Sequence, residues 1–320
     1  DAEALVDLPH DKLSAISAPG IAGLAPTVLA GLGNEQLAAL TVAQIGALTA
    51  SQLAALDGND MAAFSQSKIA AISQGAIAGL SVDAISSLEA EQIKGLTSGQ
   101  VGTLSREQIA ALGSDQLAVL TTSQIGALSA QQIGALSQAE IVEFSADKIA
   151  AIHPNSIRGL SPSTFSALSA PQMSALGAEH LGALTFGQLA GISAAQIGEM
   201  RFDQIGAFNS LAAFNGDQIG ALSTQQVSAL SLPAVRTLTP AQIQAMSMDQ
   251  IEAFTEAQTA VLTAEQIAAM ETGDLLRFSN GDISALNENA IAGLSLSQIS
   301  GLNEGQIQSF TQLQTQAMTS

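Results

Sequence analysis

The stretch Thr121 to Leu136, TTSQIGALSAQQIGAL, is two copies of one eight-residue unit: Ser or Thr, any, any, Gln, Ile, small, Ala, Leu. Numbering these positions 1 to 8, every position 8 from Leu8 to Phe208 is Leu, Ile, Phe or Met, which makes 26 octads without a slip. The segment NSLAAF at 209–214 drops two residues, and the register then holds from Phe214 to Met318 for 14 more octads. All 40 residues at position 8 are apolar, and so are 38 of 40 at position 5, with Thr259 and Thr315 the exceptions. A repeat this complete governs the reading of everything else in the chain.

Two unrelated residue classes agree on where each unit starts. Ser or Thr at position 1 with Gln at position 4 has capping-box spacing: the hydroxyl accepts from the backbone N–H three residues on, and the Gln reaches back. Thr121 with Gln124 and Ser129 with Gln132 are the type examples. The prolines concur. Pro26, Pro154, Pro162 and Pro240 sit at position 2, Pro19, Pro171 and Pro233 at position 3, and Pro9 at position 1. A helix tolerates proline in its first turn and rejects it further in.

One continuous helix does not fit, because eight residues at 100° each rotate the apolar face by about 80° per octad. A β-solenoid is the competing architecture, but apolar residues at i and i+3 are not period 2, and Ala, Leu and Gln are poor strand formers. The expected fold is all-α: a solenoid of about 40 very short helices of six or seven residues, one per octad and stacked about three to the turn. Isolated helices of this length do not persist in water, so the position-5 and position-8 side chains must be buried against neighbouring octads. Ile45, Leu48, Ile125, Leu128, Ile133 and Leu136 are the representative core residues, beneath an exterior of Ser, Gln and Ala. Residues 1–208 and 215–320 form two lengths of this solenoid, separated by a register break or kink at 209–214, where Phe208 and Phe214 flank the gap.

The chain has 28 acidic and 9 basic residues, a formal charge of −19, and no Cys, Trp or Tyr. Such charge disfavours nucleic acid and anionic membranes as partners. No apolar run approaches the ~18 residues of a membrane span, and without Cys there is neither a disulfide framework nor thiol chemistry. The start at Asp1 reads as a processed chain or an excised fragment. The block at 33–56 returns at 113–136, followed in both copies by an octad ending in Phe and then by SQSKIAAI or SADKIAAI.

Candidate chemistry is sparse. His10, His153 and His180 are too scattered for a metal centre and read as surface substitutions. Lys12, Lys68 and Lys148 fall at position 4 and read as replacing Gln at a solvated site. Asp57, Asn59 and Asp60 place oxygen ligands on a Gly-bearing turn that suits calcium, although a helix cap wants the same residues. No Ser/His/Asp grouping or G-x-S-x-G occurs, and the sequence implies no enzyme and no cofactor. Phe186 and Phe202, at position 2, are the aromatic residues expected at the surface and are nominated as contacts.

The octads LTTSQIGAL, LTVAQIGAL and LTPAQIQAM resemble the L-[TS]-x-x-Q-[IV]-x-A-L repeats of very large secreted or surface-exposed, adhesin-like proteins of proteobacteria. The resemblance spans nearly the whole chain and implies an extracellular or cell-surface location in a bacterium. LTPAQIQAM also resembles the opening of TAL-effector repeats, but those are longer and basic toward DNA. With the uniform octads, this points to a structural stalk, spacer or filament segment whose partner is itself, end to end or laterally, or a surface protein or glycan. An acidic binding module, including a DNA mimic, is the alternative.

Overall fold

A computed structural model describes residues 8–318, which contain 37 α-helices, one 3-10 helix (Pro154–Gly159) and no strand. The chain is an all-α solenoid of short helices, and it divides into two compact units, Asp1–Leu160 and Ser161–Ser320. The deletion at 209–214 lies inside the second unit. Each helix occupies one octad and runs four to six residues, slightly shorter than the sequence suggests.

The octad 121–128 shows why. Thr121 is extended (φ −77°, ψ 161°), and its Oγ1 accepts the Gln124 N–H at 3.2 Å while Gln124 Oε1 accepts the Thr121 N–H at 2.7 Å. The helix Thr122–Gly126 follows, and Leu128 N–H closes it with a tight bond to Ile125 O at 3.1 Å. Position 8 then turns extended, as at Leu96 (φ −60°, ψ 131°), so that the next cap can begin. Closing and capping consume three of the eight residues. Seven of the prolines sit in the first turn of their helices.

Ile45, Ile125 and Ile133 are fully buried, and Leu48, Leu128 and Leu136 are at most 7% exposed. Thr259, one of the two polar residues at position 5, is also fully buried; its hydroxyl donates to Glu256 O at 2.9 Å, so the core holds no unpaired group there. Thr315 is exposed, and its hydroxyl donates to Thr311 O.

Within each unit the chain comes back alongside itself after three to four octads. Helix Val42–Gly46 packs on Gln66–Ala71, and Ser98–Thr103 on Thr122–Gly126, three octads apart. Small residues permit this approach. A Cβ on Gly159 would stand 2.1 Å from Ala130 O, and one on Gly79 would stand 2.2 Å from Ala50 O, so only glycine fits at these two crossings.

The bond that ties successive turns comes from position 4, and it corrects the expectation of a Gln-bearing exterior. Gln124 is 2% exposed. Its Nε2 donates to Ile93 O at 2.9 Å and Leu96 O at 2.7 Å, residues at positions 5 and 8 of the octad four earlier. The carbonyls at a helix end lack the usual i+4 partner. Ile93 O accepts only the tight Leu96 N–H bond at 3.2 Å from its own octad, and a side chain from the next turn adds a second bond there and caps Leu96 O. The same two bonds, spanning 31 and 28 residues, recur at Gln44, Gln100 and Gln132 in the first unit. They recur at Gln204, Gln250 and Gln314 in the second. One amide therefore serves its own cap through Oε1 and the adjacent turn through Nε2, and a solvated Gln would do only the first.

This ladder runs past the deletion. The residues 209–214 form a turn rather than a helix, with Phe214 N–H bonded to Leu211 O. Gln218 and Gln226 still reach positions 5 and 8 of earlier octads, over 29 and 26 residues instead of 31 and 28, the difference being the two missing residues. The rings of Phe208 and Phe214 meet edge to face at 5.6 Å across the gap. Ala234 stands where the next Gln belongs, and Ser231 Oγ donates to Phe208 O in its place at 2.7 Å.

Candidate functional site

Position 4 is the one place where polar side chains are systematically buried, so substitutions there are where chemistry would first depart from scaffolding. Lys68 and Lys148 are half-buried rather than solvated, a correction to their sequence reading. Lys68 Nζ donates to Ala38 O, and Lys148 Nζ to Leu117 O at 3.0 Å and Ala118 O at 2.6 Å. Each ammonium stands in for the Gln amide on the turn below, and burial pushes both amines below their usual pKa. Lys148 also lies 5.4 Å from the centre of the Phe144 ring, within cation–π range. The side chain of Lys12 is exposed.

His180 is likewise a position-4 residue and is only 9% exposed, which overturns its reading as a surface substitution. Its Nδ1 accepts the Gly177 N–H at 3.2 Å, the role Gln Oε1 plays elsewhere. His153 is exposed and caps its own helix, Nδ1 accepting from Asn155 N–H at 3.1 Å. The side chain of His10 lies outside the described residues.

The calcium candidate resolves into a cap. Asp57 Oδ1 accepts from the N–H groups of Asn59 at 2.8 Å and Asp60 at 3.0 Å, and Asp60 Oδ2 accepts the Asp57 N–H at 3.0 Å. Burial raises the Asp60 pKa, the backbone bond from Asp57 opposes that, and the Asp57 charge adds to the rise. The exposed Asn59 side chain completes no cluster, and among the described residues no three His, Cys, Asp or Glu side chains converge on a point that would hold a metal. A chelator is expected to leave the melting temperature unchanged. A drop of several degrees, absent in Asp60→Ala, would make this turn a calcium site.

Phe186 and Phe202 are 68% and 51% exposed. Phe202 is flanked by Arg201 and Asp203, whose guanidinium and carboxylate make two parallel bonds of 3.0 Å. This bidentate pairing holds the Asp203 carboxyl below the usual range and raises the Arg201 pKa. Arg201 Nη1 also donates to Ser174 O. The helix Phe202–Gly206 and its neighbour three octads on border an open groove of about 760 Å³, reached by Met200, Gln225 and Gln226. A groove of about 750 Å³ lies at the corresponding octads of the first unit, bordered by Leu104, Arg106, Glu107 and Gln131. Sequence reasoning found the exposed phenylalanines. It missed the grooves, because these depend on which octads lie three apart along the track.

The first unit also contains a segment similar to a known repeat. Residues 105–138 match the ALTTAQ repeat. The ALTTAQ segment covers four octads, three of them ending in Ala-Leu, and includes the type sequence SQIGALSAQQIGAL. It is slightly longer than the 28 to 31 residues over which the Gln bonds return, so one segment spans about one turn of the solenoid. Comparison with curated proteins gives no match. The chain is thus a repeat protein of all-α build, and among its described residues no helix is long and apolar enough to cross a membrane.

Proposed function

We propose that this chain is a structural segment of a secreted or surface-exposed adhesin-like bacterial protein, acting as a stalk or spacer or as a filament-forming length. The observation carrying this reading is the Gln ladder. The same two buried bonds recur through long stretches of both units, as at Gln92, Gln100, Gln124 and Gln132 and again at Gln242, Gln250, Gln258 and Gln266, so a large share of the octads is spent on holding the next turn. A solenoid whose stability is a sum of like nearest-neighbour contacts can be lengthened by duplication without redesign. The repeat of 33–56 at 113–136 is what such duplication leaves. The acidic charge keeps a long Ala-rich surface soluble. The reading assigns no catalysis, since the carboxylates of shifted pKa are engaged by their own helix caps or by Arg201.

A spacer has to be long, and small-angle scattering tests that directly. A compact globule of this many residues has a radius of gyration of about 20 Å. The expected value is well above that, independent of concentration for a spacer and growing with concentration for a filament. A value near about 20 Å overturns both forms of the proposal.

A further inference from the structure

Beyond a spacing role, we infer that the second unit carries a docking surface for a cationic amphipathic helix, formed by Phe202, Met248 and the methionines beneath them. Large apolar side chains are exposed mainly at position 2, and three of them fall on one track of the second unit. Helices Phe202–Gly206, Thr224–Ala229, Met248–Glu252, Thr272–Leu275 and Leu296–Gly301 touch in succession, each three octads after the last. Their position-2 residues are Phe202, Thr224, Met248, Thr272 and Leu296, of which Phe202 is 51%, Met248 45% and Leu296 84% exposed.

Phe202 and Met248 each border a groove. The groove at Phe202 has Met200 in its lining, and the groove of about 480 Å³ at Met248 has Met246. Met200 and Met246 are nearly buried, so each groove has a thioether floor and an exposed apolar wall. Methionine floors adapt to differently shaped side chains and are overrepresented where amphipathic helices are gripped. The Met248 methyl rests over Gly273, where a Cβ would come within 3.2 Å of it, so the wall leans across the layer rather than waving in solvent.

Charge selects the occupant. Asp203 and Asp249 directly follow the two apolar walls, and Glu271 and Asp274 line the second groove. Arg201 and Arg277, the basic residues of the track, are already paired with Asp203 and Glu252. With Asp203 neutralised by Arg201, the selecting charge lies at the second groove, where Asp249, Glu271 and Asp274 have no basic partner on the track. These carboxylates repel a second copy of this chain, which carries −19, and attract a helix with lysines beside its apolar face. Layers about 8–10 Å apart put grooves two layers apart at about 16–20 Å, or about 11–13 residues of a helix rising 1.5 Å each. In the first unit Arg106 replaces the apolar wall over Leu104, so that groove lacks the match.

The test uses the intact chain and a fluorescent synthetic helix of leucine and lysine, with leucines on one face, read by anisotropy. Saturable binding that weakens with added salt is expected, and the Phe202→Gln/Met248→Gln double variant should raise Kd at least tenfold. Both residues are exposed, so its melting curve should match the parent. Val42→Gln and Val82→Gln, exposed at position 2 in the first unit, should leave Kd unchanged. The inference is overturned by no binding, by equal loss in the Val variants, or by equal binding of a leucine–glutamate helix. A concentration-dependent dimer abolished by the double variant would make a second copy the occupant instead, and binding of a neutral oligosaccharide in place of the helix would make it a glycan. The radius of gyration does not enter this test, so the spacer reading and the docking surface fail separately.

Discussion

Ile125→Asp is expected to cost more than about 4 kcal/mol, combining the lost burial of a large aliphatic side chain with a carboxyl left without partners. Ile125 is fully buried, and the nearest polar groups are already committed: its own carbonyl accepts from Leu128 N–H, and Gln124 is bonded across the turn. The new group would escape ionisation by raising its pKa above the ordinary value of about 3.9. The folded state would then hold a proton that the unfolded chain releases. Stability is therefore highest below the unfolded pKa and falls as pH rises through the raised one. Urea titrations at two pH values check this, with Ile125→Val as the conservative control at about 1 kcal/mol. An Asp variant as stable as its parent at neutral pH would mean that position 5 does not face a core.

The core and the helix starts were legible because each rests on local rules. Apolar spacing at positions 5 and 8 and the cap at positions 1 and 4 act within one octad, and Ile125, Leu128, Thr121 and Gln124 all take the places those rules give them. The second role of Gln124 was not legible. Its donors meet carbonyls 28 and 31 residues earlier, and nothing within the octad indicates that return distance. The same ignorance misplaced Lys68, Lys148 and His180 at the surface. The substitutions themselves held a clue, since the residues at position 4 are mostly ones with a donor, an acceptor or both, as a satisfied buried site requires. In two octads of the second unit with Ala at position 4, Ala234 and Ala290, position 1 takes over: Ser231 reaches Phe208 O, and Asn287 Nδ2 reaches Ala260 O and Leu262 O. Phe202 was nominated from its place in the octad, but its grooves and its alignment with Met248 depend on the three-octad contact.

Gln124 offers the sharpest test of the ladder, because its two ends can be removed separately. Gln124→Met keeps the volume and deletes both, leaving the Leu96 carbonyl and the Thr121 N–H without their partner and the Ile93 carbonyl with only the Leu96 N–H. At about 1–3 kcal/mol for each group left buried and unsatisfied, the expected loss is about 2–5 kcal/mol once water enters part of the gap. Thr121→Val removes only the hydroxyl end of the cap and should cost about 1 kcal/mol. If the two variants cost the same, the amide's cross-turn bonds contribute nothing and the ladder is not what joins the turns. Gln124→Glu separates the ends further. It keeps an acceptor for the Thr121 N–H but turns a carboxylate toward two carbonyl oxygens, so at neutral pH it should be at least as damaging as Met. Protonation restores one donor. The folded-state pKa must then lie above the ordinary value of about 4.3, so the variant regains stability as pH falls through that raised value and loses it again on the way up. Native Glu140 and Asp60 show how the fold tolerates an acid here: both carboxylates accept the N–H of their own cap and remain partly exposed, at Ser137 and Asp57 respectively. If the carboxylate introduced by Gln124→Glu can swing outward in the same way, the variant would show a flat pH profile and an unperturbed melting point. That result would confine the ladder's energetic role to octads whose neighbours hold the amide in place.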